Sequence, residues 1–215
     1  MSCVFTQSFG ENKNNSYASS GLKGHTGKDI VCGYGTKIYP YKRIFVYKVL
    51  DGVDQKANDG SGFTGVFGID EDGNEWLYGH CDPWVLEGLW YDEDEVIGLE
   101  SNHGTVFVGG TQITLEMQAA GDTRGHHRHN QKRVCIPVEK TEPGKKYLTS
   151  YAGGFAYINH RYYQIVAPDN GYNGCVDYPE LFQEEPKPKD PPKPSKTALD
   201  TFIDIVRELL RRLFQ

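Results

Sequence analysis

The sequence predicts a mainly β protein whose strands form an antiparallel sheet or a β-sandwich. Glycine is abundant at 25 of 215 residues, against a norm of about 7%, and most of it is scattered through the first 175 residues. Short runs of β-favouring residues lie between the glycines, and residues 21–138 show no convincing helical period. Aromatic residues make up 13% of the chain, which is enough to fill a hydrophobic core.

The predicted strands begin after residues 1–20, which are polar and turn-like. They are Lys37–Tyr41, Ile44–Leu50, Gly65–Ile69, Glu75–Tyr78, Glu95–Leu99, Gly104–Val108, Thr111–Met117 and Arg133–Val138. An aromatic-rich extension at 141–182 is predicted to form strands or an ordered loop packed on this core. We therefore assign residues 1–183 to one β domain, with its core at about 20–138.

The composition changes at Glu184. Residues 184–196 are rich in proline and lysine, which predicts a semi-rigid linker. Residues 197–215 follow with apolar residues at alternating three- and four-residue spacings, which predicts one short amphipathic α-helix. Because so short a helix is marginal alone, we expect its segment 197–214 to bind a partner protein or to self-associate. The alternatives are packing on its own domain and lying on a membrane surface.

Charge and hydropathy exclude two classes of partner. The net charge of −6 provides no basic footprint for a nucleic acid. No run of about 18 apolar residues is present, so no transmembrane segment is predicted. Residues 1–9 also lack the basic and apolar regions of a secretory signal, so we expect synthesis in a cytoplasm without ordinary export.

The cysteines predict no disulfide framework. They are Cys3, Cys32, Cys81, Cys135 and Cys175. Their number is odd, their spacing is wide, and no C-x-x-C pair occurs. We therefore expect buried free thiols in a reducing compartment.

Three histidine patterns carry the chemical information. His25 and Asp29 form an H-x-x-x-D, and residues four apart on an extended backbone face the same way. His80 ends an apolar run where a strand meets a loop. His127 and His129 form an H-x-H, with two imidazoles about 6–7 Å apart on one face of a strand. Each pattern alone also fits a bland alternative, namely a surface ion pair, a hydrogen-bonded core histidine or a basic loop.

Together the patterns favour a zinc hydrolase. Two histidines and one carboxylate form a three-ligand zinc site with its fourth position open. Zinc there lowers the pKa of a bound water and polarises a scissile carbonyl, while two more neutral histidines can transfer protons. The sequence contains no H-E-x-x-H, so the glutamate-base arrangement of the zincins is excluded.

Five motifs support a more specific hypothesis. In chain order they are Gly24–Asp29, Tyr34–Tyr39, Tyr78–His80, Val96–Gly104 and Gly125–His129. They read G-H-T-G-K-D, Y-G-T-K-I-Y, Y-G-H, V-I-G-L-E-S-N-H-G and G-H-H-R-H. In order and rough spacing this set resembles the lysostaphin-type zinc endopeptidases, which cut the peptides of bacterial peptidoglycan. The resemblance covers residues 20–138.

The resemblance implies roles for five residues. It implies zinc ligands at His25, Asp29 and His129, and it implies that His80 and His127 act on the nucleophilic water and the tetrahedral intermediate. The hypothesis is therefore a zinc-dependent peptidoglycan endopeptidase. About 20 residues lie between Gly104 and Gly125 where the family has a short link, so we expect an inserted hairpin at 105–124. The hypothesis gives no role to His103, His126 or His160.

A cell-wall enzyme without an export signal suggests a bacteriophage origin. We expect synthesis in the host cytoplasm and assembly into the virion tail, with a free phage endolysin of the same chemistry as the alternative. Three rivals differ in chemistry. They are a non-catalytic structural or wall-binding tail protein, a D-Ala-D-Ala-type zinc peptidase using the E-x-x-H of Glu100 and His103, and an amidase pairing Cys32 or Cys81 with His127.

Overall fold

A computed structural model describes residues 3–50, 64–104, 106–138, 155–158, 161–165 and 170–179. The predicted linker at 184–196, the predicted helix at 197–215 and His160 lie outside these residues. Within the described part, no helix has the length and apolar character needed to cross a membrane.

The described residues form fourteen strands and one short α-helix, and every strand pair is antiparallel. The strands are β1 (Val4–Gln7), β2 (Lys28–Val31), β3 (Lys37–Ile38), β4 (Ile44–Leu50), β5 (Gly65–Asp70), β6 (Asn74–Gly79), β7 (Cys81–Pro83), β8 (Leu89–Tyr91), β9 (Gly98–Glu100), β10 (Val106–Val108), β11 (Thr111–Ile113), β12 (Arg128–Val138), β13 (Phe155–Ile158) and β14 (Arg161–Ile165). The helix is α1 (Leu115–Ala119), and two 3₁₀ turns lie at Lys13–Asn15 and Ala18–Ser20. The predicted mainly β, antiparallel fold is confirmed.

One nine-stranded sheet organises the molecule. Its main path runs β1-β2-β12-β6-β5-β4-β8, while β14 pairs with β12 and β13 pairs with β14. A three-stranded sheet, β3-β9-β7, and the β10–β11 hairpin are separate. The hairpin lies in the insertion where one was expected. The eleven-residue strand β12 is central to this sheet, because it pairs with β2, with β6 and with β14 along its length.

Both faces of the central strands are buried. All six residues of β5 are buried, and successive residues enter two different apolar clusters, as expected from the alternation of side chains along a strand. The first cluster contains Ile38, Tyr41, Ile44, Val46, Val66, Trp76, Tyr78, Cys81, Ile97 and Tyr178. The second contains Phe67, Ile69, Leu77, Cys135 and Ile158. The sheet is therefore an inner layer, and the three-stranded sheet supplies Ile38 and Cys81 to the first cluster.

A buried ion pair fixes the register of β12 against β6. Arg133 lies directly opposite Glu75, and both side chains are almost fully buried. The Arg133 guanidinium donates two hydrogen bonds to the Glu75 carboxylate, one at 2.7 Å, and the Tyr47 hydroxyl donates to the same carboxylate. A register slip of one residue would turn both charges to opposite faces. The ion pair therefore also fixes the position of His129, near the start of β12, relative to β6.

The predicted elements differ from the structure at several places. Strands β2, β7 and β8 were not predicted, and the predicted strand Glu95–Leu99 lies at Gly98–Glu100. Residues 4–7 form an edge strand rather than a turn. The sequence did not predict it because its four side chains alternate between exposed and half-buried, which gives only a weak pattern. The predicted strand Thr111–Met117 ends at Ile113, and α1 follows because Leu-Glu-Met-Gln-Ala favours a helix and the Thr114 hydroxyl caps it by accepting from the Met117 N–H. Strand β12 begins at Arg128, five residues before the predicted start.

The expectation that every cysteine is free is wrong for one pair. Cys3 and Cys32 form a disulfide, with Cα atoms 4.1 Å apart. The cause is the pairing of β1 with β2, which sets Val4 opposite Val31 and brings the two flanking cysteines together. Because β1 was not predicted, the pairing could not be either. Cys81, Cys135 and Cys175 are buried and outside any disulfide, as expected, but the cysteines give no argument for a reducing compartment.

We predict that Glu75→Gln destabilises the fold by about 3–5 kcal/mol, because it leaves the buried Arg133 guanidinium without its countercharge. Urea unfolding of both proteins measures the difference. The matched control is Glu71→Gln, which breaks an exposed pair with Arg43 and should cost under about 1 kcal/mol. Equal losses in the two variants would contradict this account of the register.

Candidate metal centre

Three side chains from distant parts of the sequence converge on one point. His25 Nε2 lies 2.9 Å from His129 Nδ1 and 3.1 Å from Asp29 Oδ1, and His129 Nδ1 lies 2.8 Å from the same carboxylate oxygen. His25 is 3% exposed, and His129 is also buried. Within the described residues, this is the group of histidine, cysteine and acidic side chains that could hold a metal ion, with its ligand atoms within 4.8 Å of one another.

Strand pairing and close backbone contact produce this convergence. The β2–β12 register sets His129 directly opposite Asp29. His25 lies in the loop before β2, not on an extended strand with Asp29 as expected. The loop can approach β12 because residue 27 is glycine. A Cβ there would lie 2.2 Å from the backbone oxygen of Asn130. Gly24 is similar, since its Cβ would lie 2.4 Å from the oxygen of Gly10.

His80 and His127 border this cluster. Their rings lie 4.6 Å apart, and the His80 ring lies 6.4 Å from that of His129. His127 Nε2 is 3.8 Å from Asp29 Oδ1. His80 follows β6 at the predicted strand–loop junction, in a left-handed conformation with φ of 53°. The structure thus brings together all five residues singled out by the sequence.

Backbone carbonyls orient three of the four imidazoles. The Nδ1 atoms of His25, His80 and His127 lie 3.2, 2.8 and 2.7 Å from the carbonyl oxygens of Ser8, His103 and Gly125. A carbonyl oxygen only accepts, so each Nδ1 carries the hydrogen and donates it. Each Nε2 then keeps its lone pair. For His25 and His127 the contacts above place that atom at the cluster.

Burial and mutual contact set the protonation states. Burial raises the pKa of the Asp29 carboxyl, but the close contacts with the His129 and His25 imidazoles outweigh it and hold the pKa well below its usual value. Burial lowers the pKa of His80 to about 3, with a further contribution from the neighbouring His127. Burial also lowers the pKa of His129. An ionised carboxylate beside neutral imidazoles is the state that metal ligands require.

The remaining candidates lie elsewhere. The imidazole of His126 contacts the oxygen of Thr123 and the ring of Tyr34, and His103 reaches the site only through its carbonyl. Glu100 is fully buried and accepts from the backbone N–H groups of residues 32 and 33, so the E-x-x-H pair does not join the cluster. Of the two possible thiol nucleophiles, Cys32 is in the disulfide and Cys81 is buried beneath the sheet surface.

Sequence reasoning missed the residues that support the site. The Asn102 amide donates to the oxygens of Asp122 and Arg124, at 2.6 and 3.1 Å, and so holds the turn that precedes His127. Gln131 contacts the imidazole of His129. Asn102 lies inside one of the quoted motifs, and Gln131 lies two residues after His129 on β12, so strand alternation was the available signal for Gln131.

Comparison with known proteins gives structural similarity alone. No protein-family model matches the sequence, and no curated protein matches it. Among solved structures, LytU is 20% identical, with 62% of this chain and 75% of that chain covered and a TM-score of 0.43. The catalytic domain of the antimicrobial peptidase lysostaphin from Staphylococcus simulans is 18% identical, with 62% and 80% covered and a TM-score of 0.40. A variant of the catalytic domain of the prophage-encoded M23 protein EnpA from Enterococcus faecalis is 21% identical, with 61% and 81% covered and a TM-score of 0.41. Likeness at this level carries no information on activity.

We predict that the His80 imidazole stays neutral from pH 7 down to about pH 4 in the folded protein, because burial lowers its pKa to about 3. The unfolded imidazole takes up a proton below about pH 6.5, so acid favours unfolding through this group between pH 6.5 and 3. NMR titration of the metal-free protein measures the pKa, with His80→Asn to assign the signal, since asparagine tolerates the left-handed backbone. A His80 titration near pH 6.5 would contradict the prediction.

Proposed function

We propose that this chain is a zinc-dependent endopeptidase of the lysostaphin type that hydrolyses peptide bonds of bacterial peptidoglycan. The observation that carries the proposal is the meeting of two imidazole nitrogens and one carboxylate oxygen within 4.8 Å, beside two further imidazoles. The motif resemblance supplies the substrate class.

The donor set suits zinc. His25 Nε2, His129 Nδ1 and Asp29 Oδ1 would hold the ion, and histidine nitrogen with carboxylate oxygen is a usual zinc ligand set that leaves a position open. Zinc bound there would acidify a water molecule and polarise the carbonyl of the scissile bond.

His127 and His80 have different roles in this proposal: His127 transfers protons, and His80 orients the water. Both rings carry their hydrogen on Nδ1, so each can take a proton from the attacking water only at Nε2. His127 Nε2 lies 3.8 Å from the Asp29 carboxylate, at the edge of the proposed zinc site. We therefore assign to His127 the acceptance of the proton and its delivery to the leaving amine nitrogen. His80, which resists protonation, orients the water by accepting its hydrogen bond.

A role in a bacteriophage tail is the finer part of the proposal. It rests on the linker pattern at 184–196 and the amphipathic pattern at 197–214, which suit attachment to an assembly. A free endolysin of the same chemistry is the alternative. Mass spectrometry of purified phage particles tests it: the chain in the tail supports the proposal, and its presence only in the soluble lysate supports the endolysin.

We predict that His127→Ala lowers the rate of hydrolysis of purified cell walls by at least about 100-fold, because it removes the proton carrier. Zinc content should stay at one ion per chain, since His127 is not a ligand. His129→Ala should lose both zinc and activity. Turbidity loss of wall suspensions and metal analysis measure the two effects in the full chain.

The matched control is His126→Ala, which removes the adjacent imidazole that contacts Thr123 instead of the cluster. It should retain activity within a few-fold of the wild type. Undiminished hydrolysis by His127→Ala, or by wild-type protein stripped of zinc, would remove the proposal. One zinc per chain without hydrolysis of any wall tested would instead favour a non-catalytic wall-binding protein.

A further inference from the structure

His129 is held differently from the other three histidines of the site. It presents Nδ1, not Nε2, to the cluster, and no backbone carbonyl receives its outer nitrogen among the contacts described. That nitrogen, Nε2, lies 2.6 Å from the side-chain amide nitrogen of Gln131. The orientation of this ligand therefore depends on a side chain.

The Gln131 amide is surrounded by groups that can either donate or accept a hydrogen bond. Its side chain is 4% exposed. The amide nitrogen lies 2.5 Å from the Thr26 hydroxyl oxygen, and the amide oxygen lies 3.6 Å from the Cys175 sulfur. A hydroxyl and a thiol can each donate or accept a hydrogen bond. The amide can therefore turn by 180° about its last bond, exchanging oxygen and nitrogen, and still find partners.

The direction of the hydrogen bond follows from the chemistry of the ligand. A cation held by His25 Nε2, Asp29 Oδ1 and His129 Nδ1 uses the lone pair of that Nδ1, so the hydrogen of the imidazole must be on Nε2. An Nε2–H can only donate. The atom that receives it has to be the amide oxygen of Gln131, not the amide nitrogen.

We propose that Gln131 is a positioning residue for the metal centre, whose amide oxygen accepts from His129 Nε2 and so keeps Nδ1 of His129 directed at the metal. Thr26 and Cys175 complete the arrangement by holding the two ends of the amide. The inference rests on the proposed zinc site and extends it to a residue that does not touch the metal.

The test is the zinc dissociation constant of the full chain, measured by competition with a chromophoric chelator. Gln131→Met keeps the size of the side chain and removes the acceptor, and it should weaken zinc binding by about 10–100-fold. Gln131→Glu should bind zinc at least as tightly as the wild type, because either carboxylate oxygen can accept. A residue that only fills space would leave the affinity unchanged in both variants, because methionine and glutamate are close to glutamine in size.

Gln118→Met is the matched control, since the Gln118 amide donates to three backbone oxygens and contacts none of the ligands. It should leave the zinc dissociation constant unchanged. NMR of the zinc-loaded wild type gives a readout independent of any variant: the hydrogen of the His129 ring should be on Nε2.

The results distinguish failure of the positioning role of Gln131 from failure of the zinc site itself. Zinc affinity in Gln131→Met within twofold of the wild type, or a His129 hydrogen on Nδ1 in the zinc-loaded protein, would overturn the positioning role and leave the zinc site intact. A wild-type chain that binds no zinc would overturn the proposed function and this inference with it.

Discussion

The antiparallel pairing of β2 with β12 is the constraint on which the site depends. It sets His129 opposite Asp29, and the other edge of β12 sets His129 opposite Gly79, the residue before His80. One strand thus brings two other segments of the chain to a common point. The buried Glu75–Arg133 pair, further along β12, holds this register, because any slip would leave two unpaired charges in apolar surroundings. The geometry of the site therefore depends directly on the packing of the core.

The backbone sets the chemistry of the site as much as the side chains do. Carbonyl oxygens receive the Nδ1 hydrogens of three histidines and leave their Nε2 lone pairs for other partners. Burial opposes a charge on His80 and His129, while the contacts with His129 and His25 favour one on Asp29. The result is a negative charge on Asp29 beside a neutral His129, which favours a cation at this point.

Much of the fold class could be predicted from the sequence, because the central strands combine β-favouring residues with glycine-marked turns. The edge strand β1 could not, since it is only four residues long and none of its side chains is fully buried, and the disulfide at Cys3 was missed with it. Helix α1 was hidden inside a β-favouring run because its start depends on one capping hydroxyl, that of Thr114. The five candidate residues stand close together as the motifs suggested. The carbonyl acceptors could not be found, because a backbone carbonyl has no sequence signature, whereas strand alternation from His129 was a signal for Gln131.

The central claim is that two imidazole nitrogens and one carboxylate oxygen share a zinc ion. X-ray absorption at the zinc edge of the loaded full chain tests it most directly. The account predicts a shell of nitrogen and oxygen alone, with the two histidine nitrogens at about 2.0–2.1 Å and multiple-scattering features of two imidazoles. A sulfur shell at about 2.3 Å, or a spectrum with fewer than two imidazoles, would contradict it.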